Sequence, residues 1–300
     1  MAADAPPSAT GDGAAALRRR LPSDALPGTW QREWLVLPGL LVILLFFAVP
    51  LLLMALRSLT DPSPVNYAIF LREPVYLRVL LSTIAMAALA TAACLLLGYP
   101  YAYLMHRVGG AGKWVLALIV LLPFWSSLLV RTYAWTILLR DSGPINWLLL
   151  HLGIIDEPLT LMGNATGTLI GMTHVLLPFL VLPVYASMRR VDPDLSLAAA
   201  GLGARPIIVF WRIFFLLTLP GVLAGCLLVF VLAVGFYITP AILGGRTAFF
   251  SMLIVMQVNR LLQFGFGSAL GMILLAVVLL IVALGSRLVR LDEVFGERRS

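Results

Sequence analysis

Few side chains in this sequence have the reactivity and spacing that chemistry needs, and those few do not assemble. His106, His151 and His174 are scattered, each without a second ligand at metal-binding spacing. Cys94 and Cys226 lie inside long apolar runs and read as small packing residues, implying neither a disulfide nor a metal. The run "RVGGAGKW", residues 107–114, places glycines before a lysine and so has the look of a phosphate loop. That loop needs glycine where Arg107 stands and Ser or Thr where Trp114 stands, so the chain has no ATP site of its own. No G-x-S-x-G elbow occurs. Every Asp and Glu falls in a tail or loop, leaving no acid of the kind a proton relay uses inside an apolar run. An enzyme and a proton-driven carrier are both disfavoured, and no cofactor or metal is expected on this chain.

Arg131, in "LLVRTYAW" (128–135), is the costliest polar residue within an apolar run. Two readings are open: it faces protein or a solute pathway, or it snorkels to an interface with Tyr133 and Trp135 as belt aromatics. His174 reads first as a hydrogen-bonding packing residue and second as a solute ligand. Trp125, Tyr133, Trp135, Phe236 and Tyr237 offer ring faces to a cation at about 0.5–2 kcal/mol each. With Arg131 and His174 they form the candidate pathway set.

The elements that must position these residues are membrane spans. The chain is 61% hydrophobic and only 12% charged, with a mean hydropathy of +1.00, more apolar surface than a soluble fold of 300 residues can hide. Six runs are long enough to cross a bilayer as helices: Trp34–Leu56, Val79–Met105, Trp114–Leu139, Thr166–Met188, Phe214–Val234 and Ser268–Val289. An all-α membrane fold follows, with a mobile tail over residues 1–33, a membrane domain over 34–290 and a second tail over 291–300. The leader does not read as a signal peptide, since a span-length run follows it and no small-residue cleavage site does.

The net charge of +7 points to topology rather than to nucleic acid. With the N-terminus inside, segments on that side hold 14 of the 21 basic residues and the external segments hold 6, leaving Arg131 within a span. The excess obeys the positive-inside rule and places both termini in the cytoplasm. Prolines 100, 123, 178 and 183 interrupt spans and 220 and 240 flank one, as ordinary kinks or as gating elements. Gly163, Gly167 and Gly171, Gly221 and Gly225, and Gly267 and Gly271 recur at helical spacing and permit close helix contact. The run "FFSMLIVMQVNRLLQF" (249–264) reads as an external helix lying at the interface.

One stretch outside the spans is built with unusual care. In "DPDLSLAAAGLGARP" (192–206), Asp192 suits an N-cap, Pro193 the first helical position and Asp194 the positive end of the dipole. Gly203 suits a left-handed stop, and Pro206 the start of the next helix. Leu195, Ala198, Ala199 and Leu202 fall on one narrow apolar face. Such a face suits a tight groove on another protein, or a helix resting on the membrane surface.

The longer stretch "LAAAGLGARPIIVFWRIFFLLTLPGVLAG" (197–225) resembles the cytoplasmic loop of ABC importer permeases, in which glutamate–alanine–alanine is followed after three residues by glycine. Ala198, Ala199, Gly203, Ile213, Leu219 and Pro220 fit that pattern, while Leu197 replaces the glutamate. "LLPFWSSLLVRTYAW" (121–135), "GPINWLLLHLGIIDEP" (143–158), "LLPFLVLPVYASM" (176–188) and "GFYITPAILGG" (235–245) resemble permeases of the spermidine/putrescine type. The resemblance implies a type I permease fold of about six spans in a bacterial inner membrane. It implies a coupling helix, with Asp194, Leu195, Ala198, Ala199, Leu202, Gly203, Ala204 and Arg205 meeting an ATPase subunit within the loop 189–212. It also implies an ABC ATPase dimer that carries ATP and magnesium, a second homologous permease, and a periplasmic solute-binding protein. The implied solute is a polyamine. Alternatives are an amino-acid derivative or anion, for which Arg131 would be attractive, a non-transporting membrane scaffold, and a stand-alone channel.

Overall fold

The computed structural model describes residues 38–61, 63–245 and 247–297, with side chains through residue 287. The tail expected over 1–33 and the start of the first run at Trp34 lie outside the described residues. Every regular element among the described residues is helical. Two compact units meet between Leu56 and Arg57. The described part of the first, residues 38–56, is most of α1 (Pro38–Thr60), whose mean hydropathy of 2.9 goes with almost no burial. A helix apolar on all sides suits lipid or a partner helix.

In the second unit, α3 (Pro74–Arg107), α7 (Ala165–Met188) and α9 (Pro206–Val234) form the centre. Lipid supplies little hydrophobic drive to bring helices together, so close backbone approach and hydrogen bonds must do it. Both are present. Gly221 of α9 lies against Ser187 and the Pro183 carbonyl of α7, and Gly225 against the Leu180 backbone. Gly98 of α3 admits the Leu180 side chain. The Tyr99 hydroxyl meets Thr218 Oγ1 at 3.1 Å, and Ser187 Oγ donates to the Thr218 carbonyl at 3.4 Å. Ala87, Ala90, Cys94, Leu180, Val184 and Ala233 are fully buried among these helices.

Four of the expected spans appear with shifted ends, as α1, α3, α7 and α12 (Phe264–Glu297), and α9 begins earlier than expected, at Pro206. Pro220 lies inside α9. The backbone of 291–297 continues α12 where a tail was expected.

The third run departs most. Instead of one span over Trp114–Leu139, α4 (Gly110–Leu121) passes through a 3-10 turn at Leu122–Trp125 and breaks before α5 (Leu128–Leu138), a bend of 103°. Pro123 brings no N–H to the helix ladder. Both the backbone N–H and the hydroxyl of Ser126 bond to the Pro123 carbonyl, at 3.3 and 3.1 Å. That local closure competes with continued helix and turns the chain.

A second cluster gathers α2 (Val65–Arg72), α11 (Phe250–Asn259) and the start of α12 around Phe70, Phe250 and Phe266. Helix α11 is more embedded than an interfacial helix would be. Phe250 and Gln257 are buried, Thr83 Oγ1 of α3 accepts from the Phe250 N–H at 2.9 Å, and Ser251 Oγ donates to the Phe236 carbonyl at 2.7 Å.

Candidate functional site

The loop between α7 and α9 folds as the short helix α8 (Pro193–Gly201), and both its ends are closed by local chemistry. At the start, the Asp192 carboxylate accepts from the Asp194 N–H at 2.9 Å, Pro193 occupies the first turn, and Asp194 adds charge toward the positive end of the dipole. At the end, the Ala204 N–H reaches back to the Ala199 carbonyl at 3.1 Å and the Gly203 N–H to Ala200 at 3.0 Å. This nested pair needs a left-handed residue at position 203, and Gly203 supplies it with φ of 83°. Arg205 is then extended and Pro206 opens α9. Only Leu202 to Arg205 separate α8 from the 29-residue helix that runs through the core.

The expected apolar face of α8 is largely uncovered by the described residues. Leu202 is 90% exposed and Leu195 48%, Ala198 is exposed, and only Ala199 is half-buried. Leu197, at the position of the absent glutamate, is 68% exposed and borders a groove of about 570 Å³ beneath α8. The groove is walled by Tyr103, His106 and Arg107 at the end of α3, by Arg189 after α7 and by Phe210 of α9. No acid lines it. The step from the exposed helix to α9 is short, closed by a capped stop on one side and a proline start on the other.

The pathway set divides. Arg131 and Phe236 line one cavity of about 240 Å³, with Phe124, Leu128, Pro178 and Phe179. Trp135 and His174 pair one helical turn away, the indole N–H donating to His174 Nδ1 at 3.2 Å, which leaves the neutral ring's proton on Nε2. His174 thus accepts a hydrogen bond from a neighbouring helix. Trp125 and Tyr133 stand apart at 75% and 60% exposure, and Tyr237 is partly exposed. The rings do not form a continuous aromatic lining. The Arg131 Nη2 donates to the Ser126 carbonyl at 3.3 Å, and its Nε is buried with no hydrogen-bond partner among the described residues. Ser126 was missed by sequence reasoning, although "PFWSS" carries the proline and serine that make the turn. Thr132, whose Oγ1 lies 3.2 Å from Thr239 Oγ1, was also missed, because nothing local marks a contact between positions 107 residues apart.

Apolar spans around a three-helix core, a broken third span and a capped, exposed loop helix define the permease fold of ABC importers. The structure of a bacterial alginate ABC transporter in complex with an alginate-bound periplasmic protein contains a chain of the same fold, with a TM-score of 0.68 and 19% identity over 87% of this chain and 94% of that one. No family model matches the sequence. Among curated proteins, the spermidine/putrescine transport system permease protein PotB of Escherichia coli is 37% identical over 227 residues, 74% of this chain and 82% of that protein. PotB of Haemophilus influenzae is 31% identical over 257 residues, 85% and 89% of the two chains. The chain belongs to this family of transport permeases and is a permease of an ABC importer.

Proposed function

We propose that this chain forms part of the solute pathway of an inner-membrane importer for polyamines, and that α8 couples it to a separate cytoplasmic ATPase. The exposed, doubly capped apolar face of α8 carries the coupling half of this reading. A helix with Leu202 almost fully bare at a polar end of the bundle has surface to bury, and a cleft on an ATPase subunit is what would bury it. ATP hydrolysis belongs to that partner. A second permease completes the pathway, a periplasmic binding protein delivers the solute, and both termini face the cytoplasm. The polyamine half is supported by the relatives named for spermidine and putrescine transport. Uptake of labelled putrescine and spermidine by the complete complex tests it. ATP-dependent uptake of either, abolished without ATP, is expected. ATP-driven uptake of another solute with none of either polyamine would overturn the substrate while leaving the importer, and flux that persists without ATP would overturn both.

A further inference from the structure

We propose that the cavity beside Arg131 is an anion site, taking a small inorganic anion or a carboxylate that offsets the guanidinium within the bundle. Four segments build it: the turn after α4 through Phe124, α5 through Leu128 and Arg131, α7 through Pro178 and Phe179, and the end of α9 through Leu232, with Phe236 just beyond it. Its walls are otherwise apolar, and among the described residues no Asp or Glu lines it. Arg131 spends one donor on the Ser126 carbonyl and has a buried Nε with no acceptor. A guanidinium with a buried Nε left unsatisfied, and no carboxylate among the described residues of its cavity, has a donor to spare that an anion would fill. The aromatic rings do not substitute for one, since no described ring lies within cation–π range of Arg131, whereas Arg57, Arg107 and Lys113 each have such a ring.

The local backbone adds to the same potential. Ser127 gives α5 no side-chain cap, and the first intrahelical bond there runs from the Arg131 N–H to the Ser127 carbonyl. The amides of Leu128 to Val130 therefore bring their partial positive charge to the turn that borders the cavity. A volume of about 240 Å³ admits chloride or a short carboxylate. With the anion seated, a cationic solute passing this level meets a compensated charge rather than a bare one. This consequence rests on the polyamine reading; the site itself does not.

The test reads binding, so it stands apart from polyamine uptake. The full chain in lipid nanodiscs is unfolded thermally at constant pH and ionic strength. Chloride or acetate replaces lactobionate, a carboxylate too bulky for the cavity. Saturable stabilisation of a few degrees by the small anions is expected, retained with weaker affinity in Arg131→Lys and lost in Arg131→Gln. A response to both anions assigns the site to free anions, and a response to acetate alone assigns it to a carboxylate-bearing solute. The absence of a saturable response, or the same response in Arg131→Gln, overturns the proposal. Should Arg131→Gln fail to fold, wild-type crystals grown in bromide decide: anomalous scattering beside Arg131 Nε supports the site, and none there overturns it.

Discussion

Replacing Gly203 with Val isolates the stop of α8 from every other feature of the loop. No atom lies within 4 Å of the point where a Cβ would sit, so the substitution creates no clash. What it meets is the backbone: φ of 83° is left-handed, and an L-residue there costs about 1–2 kcal/mol, more for a β-branched one. A strain of that size shifts the population of the closed turn by a factor of roughly 5–30. The two nested hydrogen bonds to Ala199 and Ala200 would loosen, and α8 would no longer be rigidly continued into α9. Gly201 provides the control, since it is helical, not left-handed, and also has open space around its Cβ position. Gly201→Ala should transport normally, while Gly203→Val should reach the membrane at wild-type levels, yet lose most of its import and its stimulation of ATP hydrolysis. Gly203→Asn should fall between, because asparagine tolerates the left-handed region. Normal import together with normal ATPase stimulation in Gly203→Val would refute the coupling role of α8.

The helix contacts make three further predictions. Gly221→Ala drives a Cβ into Ser187 and the Pro183 carbonyl, and should lower stability in detergent by about 1–3 kcal/mol; an unchanged unfolding midpoint would contradict the α7–α9 approach. Thr83→Val removes the acceptor of the Phe250 N–H and should cost a similar 1–3 kcal/mol in the same measurement, with no loss if α11 is not anchored there. Leu197→Glu places a carboxylate beside a groove lined by Arg107 and Arg189, and should raise stability by less than about 1 kcal/mol in a salt-sensitive manner while import continues; a salt-independent effect would show that no ion pair forms.

Several of these features could be read from residues alone because their causes are local. Asp192, Pro193, Gly203 and Pro206 specify the ends of α8 within a few residues of themselves, and the structure places caps and stop where those residues stand. Long apolar runs likewise announce membrane helices without reference to any partner. The broken third span was legible only in part: Pro123 marked a kink, but the 103° turn depends on Ser126 folding back onto the Pro123 carbonyl. The pathway residues were least legible. Which side of α5 meets α7 and the short helix Ile238–Leu243 depends on packing between elements far apart in the chain, so hydropathy could not separate Arg131 at the cavity from Tyr133 at the surface. The anchoring of α11 by Thr83 has the same origin, a contact across 167 residues.

Chemical capture at α8 tests the central claim most directly. A cysteine introduced as Leu202→Cys, at the exposed C-cap of α8, is treated in the assembled transporter with a short thiol-to-amine crosslinker. This chain holds a single lysine, Lys113, so an adduct at the amine end reports a partner. Trp147→Cys, 57% exposed on α6 (Pro144–His151), is the control. The account predicts a covalent adduct with the ATPase subunit from Leu202→Cys, with a yield that changes on adding ATP, and none from Trp147→Cys. No adduct at Leu202→Cys, or an equal one at Trp147→Cys, would contradict it.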